Sequence, residues 1–194
     1  MVKLIGLNKI PTAVFISGKG SNLKNLIKFS LLKRSPIVIK IVISNKIKAK
    51  GLLFAKKYKI KKKIFNFSDQ QIAEKNILKD LKKNKIKLIC LAGFMKILSK
   101  KFIKNFKGKI LNIHPSLLPK YKGLNTHERV IKSKEKYSGC TVHLVTSKLD
   151  SGKILMQKKV KISKTETPHT LKNKILKQEH LLYPKVLMKL YSNL

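Results

Sequence analysis

The chain has 194 residues, of which 43% are hydrophobic, and this is enough for the core of one domain of ordinary size. Lysine and arginine number 46 against 8 acidic residues, which gives a formal net charge of +38. No apolar run approaches the roughly 18 residues that span a bilayer, so we expect no membrane segment. Residues 1–10 lead to no cleavage site, so we expect no signal peptide either.

Short β-branched runs alternate with longer stretches of helical period, as in a parallel sheet with crossover helices. The predicted strands cover residues 13–16, 37–43, 63–67, 88–92, 110–113, 141–145 and 154–160. The predicted helices cover residues 22–33, 49–58, 70–83, 99–106, a short segment ending at 130, and 166–190. We therefore predict one α/β domain over residues 1–194, with a doubly wound, mostly parallel sheet, helices on both faces and an N-terminal extension over residues 1–11.

The first polar loop follows the first predicted strand and reads SGKGSN over residues 17–22. Its glycines let the backbone approach an anion, and the helix that follows presents unpaired amides. Ser21 and Asn22 add side-chain donors. The loop lacks the Lys-Ser/Thr pair of a Walker motif and the third glycine of a dinucleotide fingerprint. It therefore predicts a phosphate cradle, although a glycine turn with Ser21 or Asn22 as helix cap fits the same residues.

The second loop contains Asn112 and His114, at the end of an apolar strand that stops at Pro115. Strand alternation puts both polar side chains on one face. An amide donor beside an imidazole suits the oxygen of a tetrahedral intermediate, and a protonated His114 can also deliver a proton. A histidine satisfied by carbonyls near a turn is the alternative interpretation.

The third loop contains Asp150, one of few acids in the chain, between two late strands. If it lies near His114, it should stabilise the imidazolium and raise the pKa of that histidine. By itself, an aspartate before Ser151 and Gly152 is better explained as part of an Asx turn than as a catalytic residue. Ligands of such sheets bind at the carboxyl ends of the strands, and we therefore expect the three loops to meet there.

The basic residues indicate which binding partners to expect, and the cysteines indicate the cellular compartment. The two arginines, Arg34 and Arg129, are few for a protein that reads phosphates and bases by paired hydrogen bonds. The lysines are spread along the chain as A- and T-rich codon usage would produce, so we expect salt-sensitive attraction to polyanions and no specific nucleic-acid partner. Cys90 and Cys140 lie in apolar strands, which predicts buried thiols, a cytoplasmic location and no metal site.

The three loops, taken with their spacing, resemble the folate-dependent glycinamide ribonucleotide formyltransferase family. The likeness extends from Ala13 to Pro184. The matching blocks are ISGKGSNL (16–23), LAGFMKIL (91–98), LNIHPSLLPKY (111–121), GLNTH (123–127), GCTVH (139–143), LDSG (149–152), QEH (178–180) and YP (183–184). Several blocks in order are more specific than any one of them. The resemblance implies a Rossmann-like formyltransferase fold.

The resemblance also implies the reaction and the residues that perform it. It implies transfer of a formyl group from 10-formyl-tetrahydrofolate, the co-substrate, to the amine of 5′-phosphoribosylglycinamide, in purine biosynthesis. Asn112, His114 and Asp150 fall on the family's catalytic positions. Gly20, Ser21, Asn22 and Glu179 fall on its acceptor site. The positions of its folate pocket are Met95, Lys96, Ile97, Leu98, Asn112, Thr146, Ser147, Lys148, Leu149 and Asp150.

Some positions depart from the family or were assigned a structural role. Gln70 stands where the family has an arginine near the acceptor, which leaves that contact in doubt, and Lys19 adds a charge to the phosphate loop. We interpret His143 and His180 as mainly structural. His127 and His169 are expected at the surface. The sequence does not predict the oligomeric state.

Other functions explain part of these features. Methionyl-tRNA formyltransferase shares the HPSLLP stretch and would suit the positive charge, but that enzyme carries a C-terminal barrel for which we expect no residues here. Formyl-tetrahydrofolate deformylase usually has an N-terminal regulatory domain, whereas the first catalytic strand here is predicted at residue 13. A basic nucleic-acid-binding protein would explain the charge but not Asn112, His114 and Asp150, and with 7% aromatic residues and no Trp the chain offers few stacking platforms.

Overall fold

Seven strands form one sheet across residues 9–191, the part of the chain that the computed structural model describes. The strands are β1 (Ile10–Ile16), β2 (Ile37–Ser44), β3 (Lys61–Ile64), β4 (Leu88–Leu91), β5 (Lys109–His114), β6 (Tyr137–Leu144) and β7 (Ile154–Lys161). Their order in the sheet is β3-β2-β1-β4-β5-β6-β7. The pairs from β3 to β5 are parallel, and β6 and β7 are antiparallel to their neighbours.

Helices connect the strands and cover both faces of the sheet. They are α1 (Ser21–Leu31), α2 (Leu52–Lys57), α3 (Gln70–Lys83), α4 (Lys100–Asn105), α5 (Thr126–Lys132) and α6 (Pro168–Tyr191). The prediction of a doubly wound, mostly parallel α/β sheet is thus confirmed. Because the chain runs from β1 to β2 on one side and returns to β4 on the other, the strand order reverses beside β1. Ligands of such sheets bind at this switch point.

The alternation of side chains along β1 builds two separate hydrophobic cores. Val14 and Ile16 pack on the face covered by α1, α2 and α6, whereas Ala13 and Phe15 pack on the face covered by α3 and α4. All four are fully buried. Burial of a side chain as large as Phe15 contributes about 2 kcal/mol. Because both faces of β1 are packed in this way, the strand is held firmly and so is the start of the loop that follows it. No helix in the described part of the chain is long and apolar enough to cross a membrane.

The observed strands begin or end a few residues away from the predicted bounds. The first strand starts at Ile10, whose N–H donates to Pro36 O at 2.8 Å. Residues 10 and 11 of the predicted N-terminal extension therefore belong to the sheet, and residues 1–8 of it lie outside the described residues. The third strand covers Lys61–Ile64 rather than 63–67, because it pairs only with the last residues of β2, Ile41 to Ser44. The sixth strand starts at Tyr137 rather than 141, because its N-terminal half pairs with β7.

Candidate active site

The side chains of Asn112, His114 and Asp150 meet at the end of β5. Asn112 and His114 lie two residues apart on that strand, and Asp150 lies in the loop between β6 and β7. Asn112 Nδ2 donates to Asp150 Oδ1 at 3.4 Å, and His114 Nδ1 lies 3.4 Å from Asp150 Oδ2. The side chains of His114 and Asp150 are only 6% and 7% exposed. We call these three residues, which were predicted to be catalytic from the sequence, together with the adjacent His143, the catalytic cluster.

Both ring nitrogens of His114 face oxygen atoms. Nε2 lies 2.8 Å from Tyr121 O, and because a carbonyl only accepts, this nitrogen carries a hydrogen. Nδ1 faces the Asp150 carboxylate, so both nitrogens find acceptors when the ring is protonated. Burial nevertheless lowers the pKa of His114 below its ordinary 6.5, and the Tyr121 carbonyl and Asp150 oppose that shift without reversing it. The predicted effect of Asp150, which is to raise the pKa of His114, is therefore confirmed in sign. Burial outweighs it, because the sequence did not show how deeply the ring is buried.

Asp150 is held as a carboxylate by its neighbours. The Gly123 N–H donates to Asp150 Oδ2 at 2.9 Å. Burial by itself would raise the pKa of Asp150, but the Gly123 N–H and the positive charge that the nearby His143 and His114 rings can carry hold that pKa below its ordinary 3.8. Its backbone φ of 45° lies in the left-handed region, which aspartate tolerates better than most residues. The negative charge is thus fixed beside the two β5 side chains.

Four groups of this region were not assigned a site role from the sequence. His143 Nε2 lies 3.3 Å from Asn112 Nδ2 and 3.5 Å from Asp150 Oδ1. The backbone groups of Tyr121 and Gly123 contact His114 and Asp150. His127 is half-buried rather than exposed, and its Nδ1 is buried with no partner among the described residues. Burial lowers the pKa of His127 to about 4, helped by the charges of Lys172 and His114. His169 is exposed as predicted.

The glycine loop, residues 17–22, joins β1 to α1 at the switch point. Gly20 has φ 75°, and a Cβ on it would lie 2.5 Å from Gly51 Cα. The Gly51 N–H donates to Gly18 O at 2.9 Å, which holds the two backbones together. The helix begins at Ser21 with Gly20 as its N-cap and no side chain capping it. The first amides of α1 and its positive dipole end therefore face the loop, an arrangement suited to an anion.

Behind the glycine loop, Asn22 contacts a buried acid of α6. Asn22 Nδ2 donates to Glu179 Oε2 at 2.6 Å, and Glu179 is 7% exposed. Burial raises the pKa of Glu179 to about 7, and the hydrogen bond from Asn22 only partly opposes this. The buried Oδ1 of Asn22 has no partner in the described residues. Three of the four predicted acceptor residues thus lie in the loop, and the fourth lies against it.

The first predicted folate segment, Met95 to Leu98, follows β4 and is tied to the glycine loop. The Met95 N–H donates to Ser17 Oγ at 2.7 Å. The side chains of Met95, Lys96 and Ile97 are exposed, whereas Leu98 is buried and anchors the segment. Its backbone groups are therefore held in place while most of its side chains face outward.

Gln70 and Glu74 of α3 hold the end of this segment. Gln70 Nε2 donates to Ile97 O at 2.8 Å and to Glu74 Oε1 at 2.9 Å. The Ser99 N–H donates to the same Glu74 oxygen at 2.8 Å, and the Ser99 hydroxyl donates to the other carboxylate oxygen. Gln70, for which the resemblance implied an arginine, thus connects α3 to the predicted folate segment.

The second predicted folate segment, residues 146–150, leads into the catalytic cluster. Thr146, Ser147, Lys148 and Leu149 are exposed, and Asp150 alone turns inward. Gly152 closes the loop, because a Cβ there would lie 1.8 Å from Leu144 O. The loop therefore returns tightly onto β6 and carries Asp150 to His114.

Outside the catalytic cluster, the described residues form no metal-binding group but include two buried thiols and a separate groove. Within residues 9–191, no group of three or more His, Cys, Asp or Glu side chains is arranged to hold a metal ion. Cys90 and Cys140 are buried free thiols, and burial raises the pKa of each to about 12. A groove of about 1220 Å³ lies elsewhere, along α3 and α4. It includes Glu74 and Ser99 but none of the catalytic cluster.

The family follows from comparison with known proteins. The family described as "Formyl transferase" matches residues 10–187. The chain is 43% identical over 178 residues to the phosphoribosylglycinamide formyltransferase of Haemophilus influenzae. The aligned region covers 90% of this chain and 84% of that protein. The chain therefore belongs to the formyl transferase family.

Further relatives agree in fold and differ in length. The crystal structure of phosphoribosylglycinamide formyltransferase from Brucella melitensis has a TM-score of 0.90 and 42% identity, covering 96% of this chain and 98% of that one. The trifunctional purine biosynthetic protein adenosine-3 of Gallus gallus is 39% identical over 186 residues, but the chain spans only 18% of its length. The similarity thus extends to most of the single-function relative and to a small part of the trifunctional one.

Proposed function

We propose that this chain transfers the formyl group of 10-formyl-tetrahydrofolate to the amine of 5′-phosphoribosylglycinamide. The products are formylglycinamide ribonucleotide and tetrahydrofolate, in purine biosynthesis. The observation that carries the proposal is the meeting of Asn112, His114 and Asp150 at the sheet edge, beside a glycine loop that suits a phosphate. The names of the relatives described above support the same reaction.

The cluster supplies what formyl transfer requires. The acceptor amine attacks the formyl carbon, and the carbonyl oxygen becomes an oxyanion. Asn112 has two amide hydrogens. When the ring of His114 is protonated, its Nδ1–H faces Asp150 at 3.4 Å, which is too long for a strong hydrogen bond. Both groups are therefore available to stabilise the oxyanion, where such donors lower the barrier most.

The proton balance involves His114 and Asp150. When the tetrahedral intermediate collapses, the bond from the formyl carbon to the folate nitrogen breaks, and that nitrogen takes up a proton. The amine loses one proton as it becomes an amide, so the overall transfer needs no external acid. The fixed charge of Asp150 stabilises the protonated form of His114 when the oxyanion forms, although burial disfavours that form in the resting site.

The two substrates are assigned to the two sides of the cluster. The phosphate of the acceptor would bind at Gly20, Ser21 and Asn22, and Glu179 would hold its ribose or amine end. The folate would bind against the backbone of residues 95–98 and of the loop 146–150. Support comes from the Met95–Ser17 hydrogen bond, which joins the folate segment to the glycine loop. Metal, membrane and specific nucleic-acid partners have no part in the proposal.

A direct assay tests the function. Purified protein given 10-formyl-tetrahydrofolate and 5′-phosphoribosylglycinamide should form tetrahydrofolate and the formylated ribonucleotide. A parallel reaction with methionyl-tRNA tests the main alternative, and a reaction without an acceptor tests hydrolysis of the formyl-folate. Formylation of the tRNA, or hydrolysis alone, would contradict the proposal. The cytoplasmic location is a separate proposal, supported by the two buried thiols and testable by fractionation.

A further inference from the structure

His143 lies inside the catalytic cluster although the proposed chemistry does not use it. It is the penultimate residue of β6 and is paired with Asn112 across the antiparallel ladder. The residue is 2% exposed. Its Nδ1 lies 2.8 Å from Leu144 O, and its Nε2 lies 3.3 Å from Asn112 Nδ2 and 3.5 Å from Asp150 Oδ1. The ring therefore touches two of the three assigned catalytic residues.

These contacts determine which ring nitrogen carries the hydrogen. A carbonyl oxygen only accepts, so Nδ1 of His143 is the donor to Leu144 O. In the neutral ring Nε2 is then an acceptor, and the nearest donor is the amide nitrogen of Asn112. Nε2 of His143 thus accepts a hydrogen bond from the side-chain amide of Asn112.

The same geometry fixes the orientation of the Asn112 amide. Its nitrogen lies between two acceptors, Nε2 of His143 and Oδ1 of Asp150. A flipped amide would place an oxygen against both acceptors and leave them unsatisfied, which is costly in a buried site. One of the two amide hydrogens bonds to His143 Nε2, and the other faces Asp150 Oδ1 at 3.4 Å, a long contact that the oxygen of a ligand can replace.

We propose that His143 is a positioning residue of the formyl transfer, a role that rests on the function proposed above. It acts through Asn112: its Nε2 holds the amide with the nitrogen toward the cluster, so that the second N–H, which makes only the long contact with Asp150, can donate to the reacting oxygen. Oxyanion donors stabilise the transition state only when they are aimed in advance. His143 should therefore affect kcat more than the KM of either substrate.

Two substitutions separate this role from simple packing. His143→Gln keeps an acceptor oxygen near the place of Nε2, whereas His143→Asn keeps a donor near the place of Nδ1 and loses the contact with Asn112. We expect His143→Asn to lower kcat about 100-fold with both KM values within about twofold. His143→Gln should retain about tenfold more activity than His143→Asn. His169→Asn, at an exposed position of α6, is the matched control and should leave activity unchanged.

The order of the two variants decides between the roles. If His143 only anchors the backbone through Leu144 O, His143→Asn should be the more active variant, and the proposal would be overturned. Equal rises in KM with unchanged kcat would overturn it as well. In an Asn112→Ala background, His143→Asn should cause little further loss of kcat, because both changes remove one interaction.

A measurement on the unmodified protein does not depend on folding of variants or on activity. Nitrogen-15 NMR of the histidine rings should show His143 as the neutral tautomer with hydrogen on Nδ1 and none on Nε2. Hydrogen on Nε2, in either a neutral or a charged ring, would overturn the proposal because that nitrogen could not then accept from Asn112. A protein that formylates neither acceptor would refute the proposed function, whereas the tautomer would still test the hydrogen bond to Asn112.

Discussion

Asp150 and Glu179 are both buried acids of the candidate site, one in the catalytic cluster and the other behind the glycine loop. Asp150 accepts from the Gly123 amide and contacts Asn112, His114 and His143. Among the described residues, the hydrogen bond to Glu179 comes from Asn22 alone. The pKa of Asp150 is held below 3.8, whereas burial raises the pKa of Glu179 to about 7.

Asp150 has more donors and is less deeply buried than Glu179, so donors and depth together determine the charge of each acid in this site. A carboxylate with several donors stays ionised when buried, and it can act on charge that develops during the reaction. A buried carboxyl group with one donor is protonated for much of the time near neutral pH. Such a group can itself donate a hydrogen bond, for example to a hydroxyl of the acceptor.

Asp150→Asn should give the largest effect, because it removes the charge while keeping the shape of the side chain. Asparagine also tolerates the left-handed φ of 45° at this position. We expect kcat to fall by about 100- to 1,000-fold, with the KM for formyl-folate changed only a few-fold, because the charge is needed most in the transition state. Steady-state kinetics with both substrates measures the two effects. A rise in the folate KM that accounts for the whole loss would contradict the catalytic role.

Glu179→Gln tests the other half of the comparison through stability. Between pH 4.5 and about 7 the folded carboxyl group holds more protons than the unfolded one, so wild-type stability falls as pH rises. The shift corresponds to about 3 kcal/mol. Glutamine does not titrate, so the variant should gain that much relative to wild type between pH 4 and pH 8 in urea unfolding. Glu128→Gln, an exposed acid, should run parallel to wild type. A constant difference for Glu179→Gln would mean that the pKa of this acid is the same in the folded and the unfolded protein.

Gly20→Ala tests the glycine loop, in which we expect backbone amides rather than charged side chains to bind the phosphate of the acceptor. The new Cβ would lie 2.5 Å from Gly51 Cα, and φ 75° is unfavourable for alanine. We expect a loss of about 2 kcal/mol in unfolding free energy and a KM for the phosphorylated acceptor raised about tenfold. Gly93→Ala is the matched control, since Gly93 has φ 76° but nothing within 4 Å of the new atom. Equal destabilisation by both changes would show that the close approach to Gly51 is unimportant.

The sequence could predict the glycine loop and the two polar side chains of β5, because both are local patterns. The glycine loop is a continuous segment after a β-branched strand, and its chemistry is visible in the order of its residues. The alternation of Asn112 and His114 on β5 is equally local. Both segments lie where a parallel sheet binds its ligands, and the structure places them at that edge.

The contacts of His143 could not be predicted, because they depend on the pairing of β5 with β6. Antiparallel register between distant segments brings Asn112 opposite His143, and no spacing in the chain records that register. The net shift in the pKa of His114 could not be predicted for a related reason. The charge of Asp150 has the predicted sign of effect, but the burial that outweighs it comes from packing of the whole domain.

The smallest effect we predict concerns the charge outside both regions. A net charge of +38 should attract the phosphorylated acceptor over distances that the glycine loop cannot reach. Salt screens such attraction, so kcat/KM for the acceptor should fall a few-fold between about 20 and 200 mM salt. An acceptor without its phosphate is the matched control and should show a flat profile. If both acceptors respond alike, salt acts on the protein rather than on the encounter. If neither responds, the lysines do not steer the substrate, and the phosphate is recognised only at Gly20, Ser21 and Asn22.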